Sequence, residues 1–184
     1  MRKMTTPLSE ADVLSLHAGE HVLLSGIAYT ARDAAHLRLT EALARGEELP
    51  LPLDGQVIYY AGPTPTPEGR AIGSIGPTTS VRMDAYTPAL LAQGLRGMIG
   101  KGKRTAPVVT AMQEHKAVYF AAVGGAAALM ASCVTACEVI AYDDLGPESV
   151  KRLTLKDLPL VVAVDAYGRD AFAEGQQDYL DKFS

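Results

Sequence analysis

Between Gly73 and Thr105 the chain reads GSIGPTTSVRMDAYTPALLAQGLRGMIGKGKRT, and its polar residues suit an anionic ligand. Thr78 and Thr79 follow a Gly-Pro break at what reads as a helix start, and Arg82 comes four residues after Thr78. On a helix that spacing puts hydroxyl and guanidinium on one face. A glycine-flanked basic turn, Lys101-Gly102-Lys103-Arg104-Thr105, comes next. Upstream, Thr30-Ala31-Arg32-Asp33-Ala34-Ala35-His36 opens another helix with Arg32 and His36 on a shared face. Backbone N–H groups at helix starts favour negative charge. Arg32, Arg82 and Lys101 each stand beside a strand–helix junction, where ligands of open α/β sheets usually sit. Two guanidiniums can each hold a carboxylate through paired hydrogen bonds worth about 1.5–3 kcal/mol apiece. A small dicarboxylate is therefore expected ahead of a phosphate.

Each motif also has an ordinary structural reading. These are a proline-initiated helix with a surface arginine, a solvated basic turn and a helix start favoured by Asp33. The lysine turn is no P-loop, because the spaced glycines ahead of the lysine are missing. Val123-Gly124-Gly125-Ala126-Ala127-Ala128, with Asp143 and Asp144 downstream, imitates a dinucleotide-binding turn. Its adjacent glycines do not match that fingerprint, and a tight helix–strand packing turn explains it better.

A length of 184 residues suggests one domain. A chain of this size can bury roughly 70% of its unfolded surface without a disulfide or structural metal. The net charge of −4 and the lack of a basic stripe argue against nucleic acid. No apolar run reaches membrane-spanning length, and the first residues lack a signal-peptide core. Cys133 and Cys137 read as packing residues in apolar surroundings, and a reducing cytoplasm is expected.

The elements that position the motifs alternate. The spacing predicts helix in SEADVLSLHAG, strand in HVLLSGIAYTA with a bulge at Gly26, and helix in RDAAHLRLTEALARG. QVIYYAG and LRGMIG read as strands, and residues 63–76 as a long loop leading to the candidate site. Helix is predicted in APVVTAMQEHK, strand in KAVYFAAVG, helix in GGAAALMASCVT and strand in ACEVIAYDDLG. SVKRLTLKDLP and LVVAVDAYGRDAFAEG read as two further strands, the second passing through a turn at Ala166–Gly168, and a short polar helix ends the chain. The expected fold is α/β, a mixed sheet with flanking helices.

TARDAAH, VIYYAGP, GSIGPTTSVRMDAY, MIGKGKRT, VGGAAAL and AYDDLGPESV…DLPLVVAVDAYG occur in that order. Over roughly residues 8–175 the chain resembles the β subunit, or C-terminal half, of the class I iron–sulfur hydro-lyases, fumarase and L-tartrate dehydratase. The resemblance implies a single swivelling β/β/α domain over residues 1–184. It also implies a [4Fe–4S] cluster on a partner α subunit and none on this chain, whose two cysteines match no ligand motif. The assembly would be a heterodimer or heterotetramer with the active site between subunits.

Carried over by motif, Arg32, Arg82 and Lys101 match the substrate-carboxylate binders, with Thr79 beside them. Thr78 matches the residue proposed to remove the proton next to a carboxylate. An alkyl hydroxyl is a poor base at neutral pH, so proton removal and substrate positioning both stay open for Thr78. His36 matches a motif histidine grouped with Thr78 and Lys101 as catalytic. Asp33 and Asp84 are expected to orient the arginines that precede them, Arg32 and Arg82. The implied activity is that of a hydro-lyase working only with its α subunit. It would interconvert (S)-malate and fumarate, with L-tartrate or mesaconate as alternative substrates. A non-catalytic module for anionic metabolites is the reading from another class, and the GPTT…RMD pattern argues against an aconitase-like small subunit. In isolation, the face meant for the α subunit makes a homodimer plausible.

Overall fold

A computed structural model describes residues 1–122 and 127–175. Seven strands form one mixed sheet: β1 (Arg2–Thr5), β2 (His21–Thr30), β3 (Val57–Tyr59), β4 (Gly97–Gly100), β5 (Val118–Ala122), β6 (Val134–Ala141) and β7 (Val150–Val164). The helices are α1 (Glu10–Leu14), α2 (Asp33–Ala44), α3 (Thr87–Leu91), α4 (Ala106–His115) and α5 (Ala127–Ser132). Strands β2, β3, β4 and β5 run parallel, in register Tyr29↔Ile58, Ile58↔Met98 and Met98↔Tyr119. Strand β7 pairs antiparallel with β2 along one edge and with β5 near its end, so these five strands close a ring. Strands β1 and β6 attach outside it, to β2 and β7.

The period of two along each strand divides the core. Val57, Tyr59, Ile99, Val118 and Phe120 join a cluster with Leu16, Leu24, Leu153 and Leu160. Ile58, Tyr60, Met98 and Tyr119 face the other way and pack under Leu39 of α2, Leu90 of α3 and Met112 of α4. Strands β3 and β4 are buried at every position, as parallel strands covered on both faces must be. Burying a side chain such as Phe120 contributes about 1.5–3 kcal/mol. On α2 the buried Ala35, His36, Leu39 and Ala42 follow helical spacing.

Four sequence expectations change. The two strands expected after residue 148 are one 15-residue strand, since β2 supplies a continuous partner from His21 to Thr30. That strand stops at Val164, and residues 171–175 are helical where strand was expected. Thr78 starts no helix. It lies in extended chain before a 3-10 turn at Ser80–Met83, so the shared-face argument linking it to Arg82 fails. The helix expected through Thr135 ends at Ser132, so Cys133 lies just ahead of β6, while Cys137 stands on β6 as the strand expected there. The register of β2 against β7 shifts between Leu24 and Gly26, as the glycine suggested. The turn after β7 forms through Gly168 N–H and Asp165 C=O at 3.1 Å. The glycine-rich turn at 123–126 and the final residues of the chain lie outside the described residues, of which no helix is long and apolar enough to cross a membrane.

Candidate active site

Because β2, β3 and β4 are parallel, their C-terminal ends share one edge, and each delivers polar residues there. Between the ends of β3 and β4 the segment 77–80 is threaded in. Ala61 bridges to Pro77 and Thr79 to Lys101. Thr78 N–H donates to Tyr60 C=O at 2.6 Å, its own C=O accepts from Lys101 N–H at 3.3 Å, and Ser80 N–H donates back to Lys101 C=O at 2.9 Å. Thr78 and Lys101 are thus adjacent rungs of one short ladder. Such close threading requires Gly100, since a Cβ there would fall 1.9 Å from Ser80 Oγ. The half-buried Thr78 hydroxyl has no hydrogen-bond partner among the described residues, and Thr79 and Lys101 are exposed. Lys101 borders a cleft of about 360 Å³ walled by Ala121, Ala122, Val161 and Ala163.

The end of β2 brings in Arg32 and Asp33. The Arg32 side chain crosses the chain after β3 at Gly62, where a Cβ would lie 3.2 Å from Arg32 Nη1. Asp33 pairs with Arg82 through two contacts, Nε to Oδ1 at 3.0 Å and Nη2 to Oδ2 at 2.9 Å. This fork binds the start of α2 to the 3-10 turn. Arg32 instead faces Glu148, with Nη2 3.4 Å from Oε1, while Glu148 Oε2 accepts from Ala34 N–H at 3.2 Å. Neither aspartate serves the arginine that precedes it. Asp84 is buried and accepts from Arg104 Nε and from Thr105 N–H, both at 2.7 Å. The expected pairings of Asp33 with Arg32 and Asp84 with Arg82 are therefore corrected, because each carboxylate is directed to a neighbouring element.

His36 is wholly buried. Its Nδ1 sits 2.9 Å from Arg32 C=O, and its ring meets Tyr60 edge-on with centroids 5.3 Å apart. Burial pushes its pKa down to about 4, so the ring is neutral at physiological pH and Nδ1–H donates to the carbonyl. Thr78, Thr79, Arg32, Arg82, Asp33 and Lys101 gather at the strand edge, whereas His36 and Asp84 lie beneath it.

Three residues outside the sequence-level selection hold this edge. Arg104, part of the basic turn read either as suiting an anionic ligand or as solvated, has a fully buried side chain between the rings of Tyr60 and Tyr119, 5.3 and 5.0 Å from their centroids. Glu148 comes from far along the chain to reach Arg32. Buried Lys151 caps the turn carrying Glu148, donating to Ser149 Oγ at 2.6 Å and to Gly146 and Pro147 C=O at 3.2 Å. Burial holds that ammonium below the ordinary lysine range. Arg104 and Glu148 left a sequence trace only as members of the KGKRT and GPESV runs, and the partner of Arg104 as the aspartate of the RMD run.

An iron–sulfur cluster does not fit this chain. Cys133 and Cys137 are its only thiols. Cys133 lies in the turn before β6 and Cys137 on that strand, both packed against the core. Cys133 Sγ donates to Asp157 C=O, and burial raises both thiol pKa values, against the thiolate form that iron requires. No group of three or more His, Cys, Asp or Glu side chains suited to a metal occurs among the described residues.

The sequence profile of the family described as Fumarase C-terminus matches residues 2–175. The chain is 41% identical over 155 residues to the aerobic class I fumarate hydratase of Escherichia coli K12, covering 83% of this chain and 28% of that protein. It is 37% identical over 158 residues to fumarate hydratase 2 of Leishmania major, covering 85% of this chain and 28% of that protein. The chain thus spans little more than a quarter of these fumarate hydratases. It is also 36% identical over 183 residues to a Methanocaldococcus jannaschii chain provisionally named an L(+)-tartrate dehydratase subunit beta, covering 96% of this chain and 94% of that one. With a family profile running over nearly its whole length and a relative of matching size, the chain belongs to the fumarase C-terminal family.

Proposed function

We propose that this chain is the β subunit of an iron–sulfur-dependent hydro-lyase that interconverts (S)-malate and fumarate with water. The observation that carries the reading is that Arg32, Arg82, Lys101 and Thr78, whose hydroxyl has no partner among the described residues, are all delivered to one strand edge. Arg32 and Arg82 reach that edge from the β2 and 3-10 segments. They present guanidiniums to the two carboxylates of a small dianion, while Lys101 supplies a third positive charge beside Thr78. Asp33 engages one side of the Arg82 fork and leaves Nη1 for substrate. Thr79 adds an exposed hydroxyl to the same rim.

Elimination of water needs a group that takes the proton next to a carboxylate and a group that takes the leaving hydroxyl. Thr78 is assigned the first role. The Lys101 ammonium and the neighbouring arginines favour its alkoxide, which offsets the poor basicity of a free hydroxyl. His36, neutral and buried, acts through Arg32 by holding its carbonyl. The group that takes the hydroxyl lies on a partner, and the reading assigns a [4Fe–4S] cluster to that α subunit. Exposed Leu37 and Val81, 45% and 48% accessible, flank Asp33 and Arg82 and give an α subunit an apolar landing beside the site.

L-tartrate is the second reading, favoured by the full-length match to the archaeal β subunit. The test mixes this chain with a cluster-bearing α subunit under anaerobic conditions and follows fumarate formed from malate, with L-tartrate in parallel. Activity only in the mixture is expected. Thr78→Ala should lower kcat by about 100-fold or more with KM changed only a few-fold. A pure KM effect refutes proton removal by Thr78.

A further inference from the structure

We propose that Tyr119 and Arg104 are positioning residues of this site, a buried brace that locks the Lys101–Thr105 turn to the Thr78–Asp84 segment. The inference rests on the dicarboxylate reading above and names residues that touch no substrate. Tyr119, on β5, is fully buried beneath both segments. Its hydroxyl donates to Gly102 C=O at 2.9 Å and lies 2.9 Å from Ser80 Oγ. A phenol has one proton, so Ser80 is the donor in the second contact. Burial raises the Tyr119 pKa to about 12, which keeps that proton in place. One oxygen thereby ties the residue after Lys101 to the residue after Thr79.

Arg104 makes the second tie. Its Nε donates to Asp84 Oδ1 at 2.7 Å, Nη2 to Thr87 Oγ1 at 2.9 Å and Nη1 to Tyr60 OH at 3.3 Å. Asp84 lies two residues after Arg82, and its other oxygen accepts from Thr105 N–H. The lysine turn is therefore fastened to the Thr78–Asp84 segment at both ends, by Tyr119 near Lys101 and by Arg104 at Thr105. Without these ties only the ladder hydrogen bonds of an exposed loop would set the separation of the Lys101 ammonium from Thr78 and Arg82. A shift of an ångström in such a separation can cost about 100-fold in rate.

Tyr119→Phe removes one oxygen and keeps the ring. In the assembled enzyme it should lower kcat by about 10-fold with KM within about threefold, since Arg32 and Arg82 stay in place. Val13→Ala, in the opposite core cluster, serves as a stability control and should retain kcat despite an equal or larger fall in melting temperature. Amide hydrogen exchange on the full chain gives a readout independent of activity. Exchange at Ser80 and Lys101 should quicken at least about tenfold in Tyr119→Phe, and at Thr105 in Arg104→Lys, with α1 unchanged. Wild-type kcat and wild-type exchange in Tyr119→Phe, or an equal loss of kcat in Val13→Ala, overturns the brace. If the wild-type mixture is inactive on dicarboxylates, the functional reading falls, and the exchange data alone then decide whether the two segments are locked.

Discussion

Replacing Asp84 by Asn should destabilise the domain far more than the same change at Asp33, although both aspartates pair with an arginine. Asp84 and Arg104 side chains are 7% and 0% exposed, against 30% and 51% for Asp33 and Arg82. The Asp84 carboxylate accepts two N–H groups at 2.7 Å, from Arg104 and from the Thr105 backbone. An amide can accept only one of them and turns its NH2 toward the other, leaving a buried guanidinium without a counter-charge. Removing one partner of such a pair costs about 3–5 kcal/mol. For a chain of this length that corresponds to a fall of about 6–20 °C in melting temperature. Domains of this kind hold only about 5–15 kcal/mol in total, so Asp84→Asn approaches the edge of folding. At Asp33 the exposed pair contributes about 0–1 kcal/mol, and Asp33→Asn should shift the curve little. Urea unfolding of both variants measures the contrast. The double variant Asp84→Leu, Arg104→Met should recover at least half of the loss, because an apolar pair leaves no stranded charge. A loss below about 1 kcal/mol for Asp84→Asn, or no recovery in the double variant, refutes the assignment of this pair as a buried constraint.

His36 makes stability depend on pH. Its folded pKa of about 4 lies below the ordinary 6.5, so the unfolded chain binds the extra proton first. Stability from this group is complete above about pH 6.5 and falls progressively toward pH 4, by about 3 kcal/mol in all. In His36→Asn the slope of unfolding free energy across that window should flatten, and an unchanged slope would place the effect elsewhere. Arg82→Lys retains the charge but loses the fork that can engage Asp33 and substrate together. It should raise KM for malate about tenfold while the melting temperature stays within about 2 °C, and an unchanged KM would remove Arg82 from the carboxylate grip.

The alternation of elements was legible because the strands β2 to β5 and the helices α2 and α4 carry strong local patterns. Strand ends and helix starts set the place of Arg32 and Lys101, so the edge where they meet followed from order alone. The closing strand β7 was misread as two pieces around Pro159, since its continuity comes from pairing with β2 and not from its own residues. Thr78 was misread for a similar reason. Pro-Thr-Thr before an apolar run resembles a helix start, but backbone hydrogen bonds to the Tyr60 carbonyl and from Lys101 N–H hold it extended between two strand ends. The partners of the charged residues were the least legible. Local order suggested that each aspartate served the arginine beside it, whereas the fold crosses them, Asp33 to Arg82 and Asp84 to Arg104.

That crossing explains how an exposed grip can be held in place. A carboxylate paired with its own neighbour would stabilise one segment and leave its position relative to the others free. Pairing across segments turns each ion pair into a distance constraint between the end of β2, the Thr78–Asp84 run and the lysine turn. The exposed pair, Asp33 with Arg82, adds little stability and leaves one face of the guanidinium open to a ligand. The buried pair, Asp84 with Arg104, cannot reach a ligand and is correspondingly hard to break. The site thus divides its charges by depth: those proposed to meet a dicarboxylate stand at the rim, and those that fix the rim lie beneath it, in contact with Tyr60 and Tyr119.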